Sequence, residues 1–469
     1  MIAGTALFLV PCVAGLLLLA AAAHAYQPDV SGFPVDKAVF PGWLENMRAG
    51  QVRDAVAQEA VCLLPVGTLE SCADQEPLGI GAAAYRSGME SLAADRKAVI
   101  APPIWYAPTG YVLGGPSDGT FHMAVAAFWR YLAEVLFTLG EVGFSRIEVV
   151  LVHNPQGKAG PLHAACKLAE ADIFNNLWKD PRFGRNWWIR PDRDRLEWAR
   201  YSLRELPDPK AAKHKIKASR KATSVRMELP LRLEHMRPSQ LRQAVAKGLC
   251  CLVPVGVIEN HGNQNPVGCD AIEAQDPVVL AASEAPAVVA PTIWYGPTGF
   301  GVTGPDLATT DISAPAFAGY MAGVVGGLAA MGFKNIIFVQ VHQGSAGPEW
   351  TSIELAIAEF RCRLHQDGDY GFGWGLKEPC RRNAPNMEVI APPHGQYDHA
   401  GKNETSWMLH LRGQYTDLGM LRPGDYPFCW HADGEADKAT AEWGRQMTEK
   451  AVDGLVQLIR ARTAPPTEE

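Results

Sequence analysis

Charge is scarce in this 469-residue chain: 20% of residues are charged, and 43 basic against 50 acidic side chains leave a formal net charge of -7. A field of that size and sign does not concentrate nucleic acid or an anionic membrane surface, so a small neutral or zwitterionic ligand fits better. C-x-x-C spacing is missing from the ten cysteines, and Cys12 falls in the N-terminal leader, leaving nine. That odd number argues against a full disulfide framework, and buried apolar thiols are the expectation for most, including Cys250 and Cys251 in a strand-like run. Lys and Arg are also missing ahead of the apolar run 6–23, so the leader has no positive n-region. Ala23-His24-Ala25 nevertheless supplies a small-x-small cleavage pattern, so export to the periplasm or outside is expected, with an uncleaved membrane anchor over 1–25 as the alternative.

What is present is enough apolar material, 47% of residues, for two ordinary domains. An ungapped internal repeat divides the chain at a constant offset of 189 residues. Leu44-Glu45-Asn46-Met47-Arg48 matches Leu233-Glu234-His235-Met236-Arg237, and Leu64-Pro65-Val66-Gly67 matches Val253-Pro254-Val255-Gly256. Ile104-Trp105-Tyr106 matches Ile293-Trp294-Tyr295, Pro108-Thr109-Gly110 matches Pro297-Thr298-Gly299, and His153 matches His342. So long a period means domain duplication, with a pseudo-two-fold pair resembling a homodimer as the natural packing. Larger oligomers would then be built from pseudo-dimeric chains.

Each copy reads as a helix signal, an apolar strand, a Gly-rich loop, a second strand, a helix and a third strand. In the second copy these fall at 238–247 (helix), 250–255, 288–293, 314–331 (helix) and 335–341. Alternating elements with near-continuous apolar strands predict an α/β fold, a mostly parallel sheet flanked by helices in each copy. The expected divisions are a leader at 1–25, a first domain at 26–207, a linker at 208–229 and a second domain at 230–469. The linker carries Lys210, Lys213, Lys215, Lys217, Arg220 and Lys221 and reads as a solvated connector rather than a nucleic-acid site. Segment 175–198, with Trp178, Trp187, Trp188 and Trp198, reads as an insertion covering apolar surface.

Strand ends in the second copy hold Glu259-Asn260-His261-Gly262, Gly268-Cys269-Asp270, Val341-His342-Gln343-Gly344 and His399-Ala400-Gly401-Lys402-Asn403-Glu404-Thr405-Ser406. Glu259 and His261 are two apart and share a face of an extended segment. Singly, a strand-end histidine is commonly a hydrogen-bonded residue and an aspartate a turn residue. Together, carboxylates and imidazoles suit a borderline divalent cation (Zn, Mn or Fe), one ion or two if Asp270 bridges, with open positions for water. Such a cation activates water and polarises a carbonyl, the two needs of amide hydrolysis.

These four motifs resemble those of the creatininase (creatinine amidohydrolase) family, approximately P-V-G-x-x-E-x-H-G, a later Gly-x-Asp, a strand-end Gly-His and H-A-G-x-x-E-T-S, over most of residues 230 to 450. The resemblance implies an α/β fold and a divalent-metal centre, binuclear in creatininase itself, hydrolysing a cyclic or small amide C-N bond through a metal-activated water. Carried over, Glu259, His261, Asp270 and His342 match metal ligands, Asp270 being the bridge. His399 matches a residue beside the substrate, and Glu404 the acidic residue of the last motif; His399 or Glu404 would handle protons. Gly344 stands where creatininase has its second-metal glutamate, as in other branches of the family, which speaks against creatinine as substrate. Tyr397 and Trp350 could wall the site, with packing the ordinary role of either.

At the offset of 189, the first copy holds Glu70, Cys72, Gly81 and His153 in place of the four ligands and has no H-A-G-x-x-E-T-S segment between residues 165 and 230. It reads as a structural partner. A non-catalytic exported protein that binds a small molecule is the alternative to the hydrolase.

Overall fold

The computed structural model describes residues 36–71, 76–94, 96–111, 114–154, 156–177, 199–206, 229–366, 385–393, 398–421 and 435–463. The leader, the linker apart from Leu229 and most of the Trp-rich segment lie outside the described residues, as do Cys72 and Tyr397.

Two five-stranded sheets form, and every pairing in them is parallel. The first contains β1 (Gly42–Trp43), β2 (Val61–Val66), β3 (Ala98–Ile100), β4 (Arg146–Leu151) and β5 (Arg200–Glu205), in the order β1-β3-β2-β4-β5. The second contains β6 (Leu231–Arg232), β7 (Cys251–Val255), β8 (Val288–Val289), β9 (Asn335–Gln340) and β10 (Asn386–Ile390), in the equivalent order β6-β8-β7-β9-β10. Register repeats with the sequence: Cys62 pairs with Ile147, and Cys251 with Ile336. It departs only at the last strand, where Arg200 pairs with Arg146 but Asn386 with Asn335.

Helices cover the sheets: α1 (Ala49–Ala57), α2 (Ile80–Ala93), α3 (Val125–Glu141) and α4 (Pro161–Leu177), then α5 (Pro238–Ala246), α6 (Cys269–Glu284), α7 (Ala314–Ala330), α8 (Pro348–Gln366), α9 (Lys402–Arg412) and α10 (Ala441–Thr463). Two sequence expectations change. The Gly-rich segment between the first two strands, expected as a loop, contains a helix in each half, α2 and α6. Helix α6 gives no start signal, because Gly268 at its N-cap makes no side-chain cap; it carries Pro277 inside and is buried on most faces, which erases the amphipathic period. The strand expected at 288–293 shortens to Val288–Val289 because Pro291 has no N–H for the ladder, leaving a single bridge from Ile293 to Val255.

Contacts between the halves are reciprocal. Val267 N–H donates to Met47 O and Leu78 N–H to Met236 O, both at 2.8 Å. The Tyr106 hydroxyl donates to Pro291 O at 2.9 Å, and Tyr295, its counterpart, to Pro102 O at 3.1 Å. Each pair exchanges equivalent partners, the signature of an isologous two-fold contact, and one apolar core runs through both halves. Among the described residues, no helix is long and apolar enough to cross a membrane.

Candidate metal centre

In the second sheet the chain runs from β7 to β8 on one side and then back to β9 on the other. The crevice beyond the carboxyl ends of β7 and β9 is therefore the topological switch point, where open α/β sheets bind ligands. Glu259 and His261 follow β7, and His342 follows β9. A β-carbon on Gly256 would lie 2.5 Å from the Ala271 amide nitrogen, so only glycine lets the first turn of α6 run against the end of β7. That turn carries Asp270, at the positive end of the helix dipole. Glu404 sits likewise in the first turn of α9, whose amides at Asn403 and Glu404 donate to the Asp398 carboxylate at 2.7 and 3.1 Å.

The six residues singled out from the sequence converge here. His342 Nδ1 lies 3.1 Å from Glu259 Oε2 and 3.1 Å from Asp270 Oδ2. His261 Nε2 lies 3.4 Å from the other oxygen of Asp270 and 3.5 Å from Glu404 Oε2. The His399 ring centroid is 4.5 Å from that of His261. Three sets (Glu259, Asp270, His342; His261, Cys269, Glu404; Glu259, His261, His399) each bring their ligand atoms within 4.8 Å of one another.

This donor set fits a divalent cation. His261 Nδ1 is 3.0 Å from the Glu259 carbonyl, an acceptor, so Nδ1 carries the proton and Nε2 points a lone pair at two carboxylates. Glu259 Oε1, His261 Nε2 and His342 Nε2 are buried without a hydrogen-bond partner. Buried groups of this kind demand a charge between them. Burial raises the pKa of Asp270 and Glu259, and the imidazoles reverse this: His261 and His342 hold Asp270 below the usual carboxylate range, and His342 does the same for Glu259. Burial lowers His261 and His342, but the facing carboxylates leave both raised. Glu404 is pushed well up by burial and by Glu273 and Asp398. His399, lowered to about 4 by burial and by His261, is neutral near pH 7.

Around these side chains lie further residues, most of them outside the four sequence motifs. Thr405 Oγ1 accepts from Gln264 Nε2 at 3.1 Å and Asn265 Nδ2 at 2.9 Å, tying the start of α9 to the loop after β7. Gln340 Nε2 donates to the His342 carbonyl and, at 2.6 Å, to buried Glu349. The missing β-carbon of Gly296 makes room for Glu349 Oε1. At the offset of 189 the first half has Leu151, Gly160 and Ala107 for Gln340, Glu349 and Gly296, so this polar unit belongs only to the half with the metal constellation. The signal was present in the repeat as an apolar-to-polar exchange at a strand end. Trp350 is half-buried on α8.

The first half keeps a remnant. His153 Nε2 is 3.8 Å from Glu70 Oε2, and Gly81, on α2, supplies no ligand. Over Gly67, the counterpart of Gly256, the Trp105 ring occupies the space that α6 backbone takes in the second half.

A parallel α/β sheet with clustered carboxylates and imidazoles at its switch point forms a candidate divalent-metal site of the kind that hydrolases use to activate water. The family profile described as "Creatininase: Creatinine amidohydrolase" matches residues 45–224 and 234–459, and the chain belongs to that family. The chain is 25% identical over 274 residues to the 3-dehydro-scyllo-inosose hydrolase of Thermotoga maritima, an alignment covering 50% of this chain and 86% of that protein. Among solved structures, "Creatininase Mn" aligns at 20% identity and TM-score 0.41, covering 50% of this chain and 99% of its own. A "Putative creatinine amidohydrolase" from Bacteroides fragilis aligns at 18% identity and TM-score 0.37, covering 52% and 100%.

Proposed function

We propose that this protein hydrolyses the C-N bond of a small or cyclic amide at a two-cation centre in its second half. The observation that carries the proposal is the Asp270 carboxylate, which turns one oxygen to each of two imidazoles. Glu259, Asp270 and His342 would hold one cation, and His261, Asp270 and Glu404 the other. Glu404 then supplies the carboxylate that Gly344 cannot. The mixed oxygen and nitrogen donors favour Zn, Mn or Fe. The hydrolase name of the Thermotoga relative supports the reaction class.

When bound, divalent cations lower the pKa of water and polarise a carbonyl. The protein's own groups do the rest. Asp270, with one oxygen towards each imidazole, would fix the spacing of the two ligand sets. His399 Nε2 lies 3.0 Å from the Asn260 carbonyl and donates to it, so Nδ1 keeps a lone pair. A neutral imidazole whose conjugate acid is this strong accepts a proton briefly and returns it readily to a leaving nitrogen. Asn260, held by Thr309 and the Leu307 carbonyl, orients that ring.

Purified protein supplied with Mn or Zn and screened against lactams, formamides and ureas tests the proposal. Turnover of at least one class, abolished in His261→Ala together with metal binding, is expected. Thermal stabilisation by these compounds with no turnover would instead identify a non-catalytic binding protein. Export directed by residues 1–25, and oligomers of the pseudo-dimeric chain, belong to the same proposal; the mass of the mature protein and its size in solution check them.

A further inference from the structure

A cavity of about 780 Å³ opens between the two halves, and none of the six candidate metal-centre residues lines it. Its walls come in equivalent pairs at the offset of 189: Glu45 and Glu234, Trp105 and Trp294. The pseudo-two-fold axis therefore passes through it. Its volume lies within the range of small-molecule sites, which run from about 300 to about 1,000 Å³.

Both glutamates are buried, at 4% and 5% exposure, and the Oε2 atom of each has no hydrogen-bond partner. Their other oxygens face arginines: Arg86 Nη2 at 3.9 Å from Glu45 Oε1, and Arg232 Nε at 2.9 Å from Glu234 Oε1. These arginines are not equivalents. Position 275, the counterpart of Arg86, is Gln, and position 43, the counterpart of Arg232, is Trp. Each half thus supplies its glutamate with a guanidinium from a different element, α2 in one and β6 in the other, although the side chains at those positions have diverged.

The chemistry left open has both signs. Each glutamate keeps one oxygen, closed to solvent, without a donor, and a buried acceptor without a donor is costly. Each guanidinium has five N–H donors, and Glu234 takes only the Nε–H of Arg232. A third guanidinium on the wall, Arg412, is held by both oxygens of Asp276 at 2.6 and 2.8 Å and adds no net charge. The buried indoles of Trp105 and Trp294 supply flat apolar walls suited to a short methylene chain or an ammonium group. We propose that this cavity is a second ligand site, which takes a small zwitterion with separated ammonium and carboxylate groups: the ammonium on Glu45 and Glu234, the carboxylate on Arg86 and Arg232.

The site is separate from the metal centre but touches the same helix. Ile272 and Gln275 of α6 line the cavity, and they lie roughly 200° and 140° around the helix from Asp270. The amide that opens α6, Gly268 N–H, donates to Glu45 O at 3.1 Å.

The test is calorimetric titration of the metal-supplied full-length protein with 4-aminobutyrate and 5-aminovalerate, against butyrate and butylamine as single-charge controls. At least one amino acid should bind saturably, and at least tenfold more tightly than either control. E45Q and E234Q should each weaken that binding at least tenfold with metal content unchanged, and His261→Ala should leave it intact. Absence of saturable binding by both amino acids overturns the proposal, as does equal binding of butylamine or butyrate. Loss of binding in His261→Ala but not in E45Q would move the ligand to the metal centre and also overturn it. A charge-swapped Arg232→Glu variant guards against misfolding of the Gln variants: it should lose the amino acid while keeping metal.

Discussion

Tyr131 and Tyr320, 189 residues apart in the chain, stack face to face with ring centroids 3.8 Å apart and planes 6° from parallel. They are equivalent residues of the two halves, on α3 and α7, so the two-fold relation carries each onto the other. The Tyr131 hydroxyl also donates to the Tyr295 carbonyl at 2.8 Å. Tyr131→Phe removes that donor and strands a buried acceptor, and should cost about 1–3 kcal/mol. Tyr131→Ala should cost about 3–5 kcal/mol. Urea unfolding monitored by circular dichroism checks both, and a loss under 0.5 kcal/mol for the alanine variant would show that the halves do not depend on this contact.

Metal counting separates the two ligand sets. If the centre takes two cations as proposed, Asp270→Asn should reduce bound metal from about two ions per chain towards none, because both ligand sets share Asp270. Glu404→Gln should leave about one. Elemental analysis after gel filtration reads the ratio; retention of both ions in Glu404→Gln would return that residue to proton handling alone.

Two glycines offer a matched comparison. In Gly256→Ala the new methyl would meet the Ala271 backbone, so α6 must move and carry Asp270 with it. In Gly67→Ala it would meet the Trp105 ring, in the half without the metal constellation. Metal affinity should fall at least tenfold in the first and change less than twofold in the second, as measured by chelator competition.

Gln340→Leu installs the residue that the first half uses at that position. It removes the donor shared by the His342 carbonyl and Glu349, and activity should fall about 10- to 100-fold, the usual cost of losing support behind a ligand. A parallel drop in metal affinity, with the melting temperature little changed, would identify Gln340 as a residue positioning His342.

Glu45 sets a pH dependence. Burial raises its pKa from 4.5 to about 7. Because the folded state holds the proton more tightly than the unfolded chain, the contribution to stability is complete below pH 4.5 and declines as pH rises towards 7. Glu45→Gln escapes this decline, so the stability of wild type relative to the variant should worsen by about 3 kcal/mol between pH 4.5 and pH 8. Denaturant midpoints across that range, without added ligand, show the trend; a flat difference would contradict it.

The sequence by itself determined the duplication, the parallel α/β class and the six residues that converge at the candidate metal centre. Each depends on local chemistry that a one-dimensional pattern records: apolar strand runs, the constant offset of 189, and histidines and carboxylates placed after strands. It also showed the decay of the first half, since Gly81 has no side-chain ligand atom in any fold. Helix α6 could not be read, because an element buried on most of its faces has no polar stripe and Gly268 adds no cap. Only the tertiary structure decided that the two oxygens of Asp270 face different imidazoles, since that depends on how closely α6 approaches Gly256. It alone brought Gln340 and Glu349 together behind His342. It also created the cavity lined by Glu45 and Glu234, residues of two separate strand-end segments that share one wall only because the halves pack about a two-fold axis.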